Sequence, residues 1–133
     1  MRRRMDEAQK GQVKRLLREA LESIESVRFA YLFGSFLLKG SFEDVDVAVY
    51  LQPETLDEAD LLTTAFSLAD VLERAIHLPV DVQILNTAPL ALRFEALRGE
   101  PLMARCWEEC ADFVERVTLQ WWDTEGLRWA AVQ

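Results

Sequence analysis

The stretch Tyr31–Leu51, YLFGSFLLKGSFEDVDVAVYL, decides the fold of this chain. An apolar strand runs into Gly34 and Ser35, and a second strand opens with Asp44 and Asp46. Because side chains alternate along a strand, these two carboxylates project from the same face. Two neighbouring anions repel each other and lose hydration, which a divalent cation or water compensates. The stretch therefore predicts a strand, a tight turn and a second strand with an acidic end.

Length and charge limit the class of protein. The chain has 133 residues, half of them hydrophobic, which predicts a single domain spanning residues 1–133 with a substantial core. Its formal net charge of -8 argues against direct nucleic-acid binding, because phosphate contacts need clustered Lys and Arg. A basic protein partner, or a nucleotide held through a metal ion, suits this charge better.

The start of the chain and its cysteines indicate a cytoplasmic protein. Met1–Met5 is basic like the start of a signal peptide, but Asp6 and a polar helix follow where an apolar segment is required. We therefore expect neither export nor a membrane-spanning segment. Cys106 and Cys110 lie four residues apart in a helical pattern and are expected to be reduced thiols.

Apolar spacing and turn residues predict helices that alternate with strands along the whole chain. The expected order is a helix after a cap at Asp6, a strand at Val27–Phe33, a short turn at Phe36–Lys39, a strand at Asp44–Leu51, a helix from near Thr55 to before Leu78, a strand at Val80–Leu85, a helix from Pro89 to Gly99 and an edge strand at Leu102–Ala104. This order predicts an α/β (α+β) fold, with a short mixed β-sheet and helices mainly on one face.

The third predicted strand adds an acid to the candidate site. Asp81 heads the segment VDVQIL, and if this strand pairs beside the second, Asp81 meets Asp44 and Asp46 at one end of the sheet. Asp44 and Asp46 would then hold Mg²⁺ against a triphosphate, while Asp81 would bind a second ion or take a proton from an attacking hydroxyl. Gly34 allows close approach of phosphate, and Ser35 can donate to its oxygens. These parts together predict phosphoryl or nucleotidyl transfer.

FGS, a later glycine, the D-V-D motif and a strand that begins V-D resemble the nucleotidyltransferase superfamily related to DNA polymerase beta. More narrowly, the chain is similar to the minimal nucleotidyltransferases of prokaryotes. The resemblance implies a nucleotidyltransferase fold in which Gly34 and Ser35 grip the triphosphate of ATP. It also implies that Asp44 and Asp46 bind magnesium and that Asp81 completes the site.

The C-terminal part, from Arg98 to Asp123, resembles the antitoxin branch of that family. Members of this branch are encoded with a toxin of the HEPN ribonuclease type. The resemblance implies that the chain transfers AMP from ATP to a tyrosine of such a toxin, and that the two proteins form a hetero-oligomer.

Two other functions stay open at this point. One is nucleotidyl transfer to a small hydroxylated molecule, although relatives of that kind usually carry an added substrate-binding domain. The other is a catalytically silent module that neutralises its partner by binding alone. The loop from Ser35 to Asp44 keeps the silent module open, because the eight residues between them are fewer than is usual in the family. Glu43 also stands where the family usually has serine.

Aromatic residues are concentrated in the C-terminal segment, about residues 105–133. Cys106, Cys110, Phe113, Val117 and Trp121 share one helical face, and Trp107, Trp122 and Trp129 add further rings. Two interpretations remain open: the rings cover the open side of the sheet, or they dock a partner protein or a second copy.

Overall fold

The computed structural model describes the backbone of residues 2–131 and the side chains of residues 2–124. Its helices are α1 Glu7–Glu22, α2 Leu61–Ile76, α3 Leu90–Leu97 and α4 Trp107–Ala131, and its strands are β1 Val27–Phe33, β2 Val45–Leu51, β3 Val80–Ile84 and β4 Glu100–Ala104. Short 3-10 turns lie at Ser35–Leu37, Pro53–Thr55 and Glu58–Asp60.

The strands form one mixed sheet in the order β3-β2-β1-β4. The central strand β1 is antiparallel to both β2 and β4, whereas β2 and β3 are parallel. A parallel pair needs a crossover connection, and α2 supplies it between β2 and β3. The mixed sheet predicted from the sequence is confirmed.

Helices cover both faces of this sheet, in pairs. Ala30 and Leu32 of β1 pack in the same core cluster as residues of α1 and α2. Phe29, Tyr31 and Phe33 pack in a second cluster with residues of α3 and α4. The expectation of helices mainly on one face is therefore corrected. The reason is that β1 is apolar on both faces, so each face needs a covering layer.

One stripe of α4 belongs to the second core cluster. Cys110, Phe113 and Val117 are buried there, and the Phe113 ring lies 5.5 Å from that of Phe29. Cys106, which was expected on the same face, is exposed instead. This stripe therefore covers the sheet, as the first of the two interpretations required.

The tryptophans of α4 differ in their surroundings. Trp121 stacks on Phe94 of α3, with ring centroids 4.4 Å apart. Trp107 and Trp122 are exposed, and the side chain of Trp129 lies outside the described residues. None of the described helices combines the length and apolar character needed to cross a bilayer.

Side chains hold both ends of α1. Asp6 accepts a hydrogen bond from the Gln9 backbone N–H while the Gln9 side chain accepts from the Asp6 N–H, which is a capping box. At the other end the Arg105 guanidinium donates to the carbonyl oxygens of Leu21, Glu22 and Ile24. The Leu21 and Ile24 carbonyls also accept from the backbone N–H groups of Ile24 and Val27, so Arg105 adds a charged donor at the end of α1 and ties it to the end of β4.

The start of α2 differs from the sequence expectation. The helix begins at Leu61, and the segment from Pro53 to Asp60 forms two 3-10 turns instead of its first turns. Asp57 caps the second of these turns by accepting from the Ala59 N–H at 3.0 Å. The predicted helix start near Thr55 was therefore wrong, because the local turn uses other side-chain bonds.

Candidate active site

The parallel pairing of β2 and β3 places two of the predicted acids side by side. Asp46 is the register partner of Asp81, and Asp44 lies two residues before Asp46, immediately outside the strand. Val45 and Val47 point into the core cluster of α1 and α2, so the Asp46 side chain points to the opposite face. The pairing on which the sequence prediction depended is therefore present.

The turn after β1 lies directly against Asp46. Gly34 has φ 81° and ψ -161°, a backbone conformation that side chains rarely allow. A Cβ added to Gly34 would lie 3.1 Å from Cγ of Asp46 and closer still to its carboxylate oxygen. Glycine is thus required both by the backbone conformation and by the adjacent carboxylate.

The electrostatic environment of Asp46 reflects this crowding. Its pKa is raised from 3.8 to about 6, first by burial and then by the negative charges of Asp81 and Asp44. Glu95 of α3 contributes a smaller effect in the same direction. Glu95 was not expected from the sequence, because its position depends on α3 covering this face of the sheet.

Lys10 of α1 holds the backbone of the turn after Gly34 through hydrogen bonds. Its ammonium group donates to the carbonyl oxygen of Phe36 at 2.7 Å and to that of Leu38 at 3.0 Å. It also lies 5.2 Å from the centroid of the Phe36 ring. No sequence pattern indicates this role, since Lys10 lies among the polar residues of an amphipathic helix.

The loop between the turn and Asp44 is anchored to the segment before α1. Arg3 and Phe42 exchange two backbone hydrogen bonds, of 2.7 and 2.9 Å, and the Phe42 side chain is buried. Arg2 donates to the Ser41 hydroxyl and carbonyl oxygens. This short loop is therefore held by the same part of the chain that starts α1.

The donor set of the site suits a hard divalent cation. The acidic side chains offer carboxylate oxygens, which Mg²⁺ prefers. A cation would relieve the repulsion from Asp81 and Asp44 that adds to the effect of burial on the Asp46 pKa. In the arrangement seen, no three His, Cys, Asp or Glu side chains of the described part of the chain are grouped closely enough to hold one ion. Asp81 accepts from the Gln83 amide at 3.3 Å. The ligand set Asp44, Asp46 and Asp81 remains a prediction.

Comparison with solved structures identifies the fold. The structure of the toxin-antitoxin MntA-HepT matches with a TM-score of 0.64 and 22% identity, over 96% of each chain. A tri-AMPylated Shewanella oneidensis HEPN toxin in complex with MNT antitoxin matches with a TM-score of 0.64 and 23% identity, also over 96% of each chain. A toxin-antitoxin structure with AMP-PNP matches with a TM-score of 0.66 and 23% identity, over 92% of this chain and 94% of that one. At this level of identity these likenesses show the fold.

Comparison at the level of sequence identifies the family. No curated protein matches the chain. The family described as polymerase beta, nucleotidyltransferase matches residues 16–106, which is more than half of the chain and includes the Gly34 turn and the three aspartates. The chain belongs to the polymerase beta nucleotidyltransferase family.

Proposed function

We propose that this chain is a Mg²⁺-dependent nucleotidyltransferase that transfers AMP from ATP to a tyrosine of a HEPN-type ribonuclease toxin, and so acts as its antitoxin. The observation that carries the proposal is the Gly34 turn packed against Asp46, which is itself paired with Asp81. In a chain of this family, a glycine turn and paired acids at one end of a sheet support binding of a phosphate and a metal ion.

The turn would hold the triphosphate of ATP. Gly34 carries no side chain that would obstruct an approaching phosphate, and the Ser35 hydroxyl can donate to a phosphate oxygen. The backbone N–H groups at the start of the 3-10 turn can donate in the same way. Lys10 keeps these donors in place through the carbonyls of Phe36 and Leu38.

The acids would organise the attack on the α-phosphorus. Asp44 and Asp46 would hold Mg²⁺, which would supply positive charge that screens the phosphates from these carboxylates. The acceptor oxygen forms a bond to the α-phosphorus, the bond from that phosphorus to the bridging oxygen breaks, and pyrophosphate leaves with the bonding electrons. The proton of the acceptor hydroxyl would pass to Asp81 or to water, and in the second case Asp81 would help to hold the metal.

The choice of a protein acceptor rests on fold and charge. The matched structures include that of a tri-AMPylated HEPN toxin in complex with MNT antitoxin. That match covers 96% of this chain and 96% of the other. A toxin that grips RNA should be basic, so a chain with a net charge of -8 would attract it. We take residues 1–133 as one cytoplasmic nucleotidyltransferase domain. In its segment from about residue 105, the exposed Trp107 and Trp122 would contact the partner protein.

The test is to mix the chain with the HEPN-type partner encoded beside it, Mg²⁺ and ATP, and to weigh the partner by intact mass spectrometry. We expect one or more added AMP groups on a partner tyrosine, absent with Asp44→Ala or Asp46→Ala. Omitting the metal should also abolish the product.

Each other outcome points to a different function. An unchanged partner mass together with tight binding would overturn transfer and favour the silent module. An unchanged partner, no binding, and AMP transfer to a hydroxylated small molecule would favour the small-molecule acceptor.

A further inference from the structure

An apolar groove of about 600 Å³ runs along the free edge of β3. Its wall on one side is the first half of α2, where Leu62 and Phe66 lie, and its wall on the other side is the start of α3, with Pro89 and Leu92. Asp81 lines the same groove. The groove therefore opens directly onto the acidic end of the sheet.

The groove has the shape of a missing strand. β3 is the last strand of the sheet, and within the described residues no strand pairs with its outer side. Its five residues span about 16 Å, and a further strand would lie about 4.8 Å away, between the two helix layers. An extended polypeptide fits such an edge, because its backbone can pair with that of β3.

The groove lies on the opposite side of the acids from the phosphate-binding turn. Across the sheet, the turn at Gly34 follows β1, Asp46 is on β2, Asp81 is on β3 and the groove comes next. Displacement at phosphorus requires the attacking and leaving oxygens to be roughly in line, on opposite sides of the phosphorus atom. A triphosphate held at the turn would thus leave the groove side open to the acceptor.

The lining also selects the chemistry of the occupant. Leu62 and Phe66 are 69% and 65% exposed, although both are large apolar side chains. A small polyhydroxylated molecule would leave its hydroxyl groups facing apolar walls, which is unfavourable. A peptide with apolar side chains would instead cover those walls.

We propose that this groove is the acceptor site, where an extended segment of the partner protein adds to β3 and presents its tyrosine hydroxyl to Asp81. The inference rests on the proposed transfer of AMP to a protein. Alternate side chains of a strand face opposite sides. The tyrosine therefore points to the acidic face, while its two sequence neighbours point towards Leu62 and Phe66 and should be apolar.

The test uses Leu62→Glu and Phe66→Glu, with Val71→Glu as the control. All three side chains are exposed on α2, but Val71 does not line the groove. We expect the two groove variants to lower AMP transfer to the HEPN-type partner by about tenfold or more, since they replace apolar contacts at the acceptor. The affinity for ATP with Mg²⁺, measured by calorimetry, should stay within about twofold of wild type for all three.

Other results would overturn the inference. Transfer equal to that of wild type in both groove variants would mean that the groove is not used. An equal loss of ATP affinity would mean that the groove holds the nucleotide base.

A second measurement does not depend on activity. A photo-reactive benzophenone replacing the Phe66 ring should cross-link to the partner segment that contains the acceptor tyrosine. If wild type transfers no AMP but the benzophenone still cross-links to a segment of the partner, the proposed function fails, and the groove binds the partner without being an acceptor site. If wild type transfers AMP and the cross-link is absent or maps elsewhere, the groove assignment fails alone.

Discussion

Two constraints require glycine at position 34, a positive φ and a neighbouring carboxylate, whereas Gly40 in the same loop has only the first. Gly34 has φ 81° and would bring a Cβ into the Asp46 carboxylate, whereas Gly40 has φ 104° with no atom near its own Cβ position. Gly34→Ala should therefore destabilise the fold by about 1–3 kcal/mol from backbone strain alone, with the collision in addition. Gly40→Ala should show the strain without the collision.

Chemical denaturation and AMP-transfer assays measure both effects. We expect Gly34→Ala to lose transfer and Gly40→Ala to retain most of it. Adding Asp46→Ala to Gly34→Ala should recover part of the lost stability, because the carboxylate is then gone. Equal losses of stability and transfer in the two single variants would show that Asp46 does not restrict this turn.

Asp46 should disfavour folding when it is charged and no metal is present. Its folded-state pKa of about 6 lies above its ordinary 3.8, so its stabilising contribution is present at low pH and is lost as the pH rises through about 6. In metal-free buffer, Asp46→Asn should therefore raise Tm by about 3 °C at pH 8 and by less at pH 5. The increase is small because solvent screens the charge of the partly exposed Asp46. Added Mg²⁺ should raise the Tm of wild type and not that of the variant.

Glu115→Gln on the exposed side of α4 is the control for this charge removal. It should change Tm little at either pH. A lower Tm for Asp46→Asn at pH 8 would contradict the electrostatic account.

At the scale of elements, the turn depends on a helix that is distant in sequence. Lys10→Met keeps most of the length of the side chain but removes the two hydrogen bonds to the Phe36 and Leu38 carbonyls. We expect the KM for ATP to rise by about tenfold, which corresponds to about 1.4 kcal/mol, with a smaller change in kcat. Lys14→Met, which removes the ion pair with Glu100 at 2.9 Å, should leave the KM for ATP unchanged.

Steady-state kinetics of AMP transfer separate the two parameters. Lys10→Arg should recover part of the lost affinity, because a guanidinium can still donate to both carbonyls. If Lys10→Met lowers only the thermal stability, Lys10 supports the fold and does not position the turn.

The connection between β4 and α1 depends on Arg105. Its guanidinium donates to the carbonyl oxygens of Leu21 and Glu22 at the end of α1, to that of Ile24 just beyond it and to that of Val27 in β1. Arg105→Ala should lower the free energy of unfolding by about 2 kcal/mol, because several carbonyls lose charged donors at once. Arg105→Lys should have an intermediate effect, since an ammonium cannot reach all of them. Urea denaturation would show this ranking, and equal stabilities would contradict it.

Element prediction from the sequence succeeded where local chemistry decides. The cap at Asp6 and the bounds of β1 are as predicted, because the capping residues and the apolar run are contiguous in sequence. The start of α2 was wrong by about two turns. There the local bond from the Thr55 hydroxyl to the Gln52 carbonyl stabilises a turn that competes with the helix.

At the scale of the whole molecule, the acidic end of the sheet was predictable and its surroundings were not. Alternation along two strands is enough to place Asp46 and Asp81 together once their pairing is assumed. The contributions of Lys10 and Glu95 required knowledge of how α1 and α3 pack, which no local pattern contains. The second helix layer was missed, although the nearly continuous apolar run of β1, VRFAYLF, is its signal.

The bare edge of β3 has a consequence for handling the protein in isolation. Within the described residues no strand pairs with the outer edge of β3, which Leu62 and Phe66 border. Such an edge is a template on which copies can stack into aggregates, and the net charge of -8 opposes their approach. Salt screens that repulsion. Light scattering from concentrated solutions should therefore increase with ionic strength for the chain alone, and co-expression with a protein that fills the edge should suppress it.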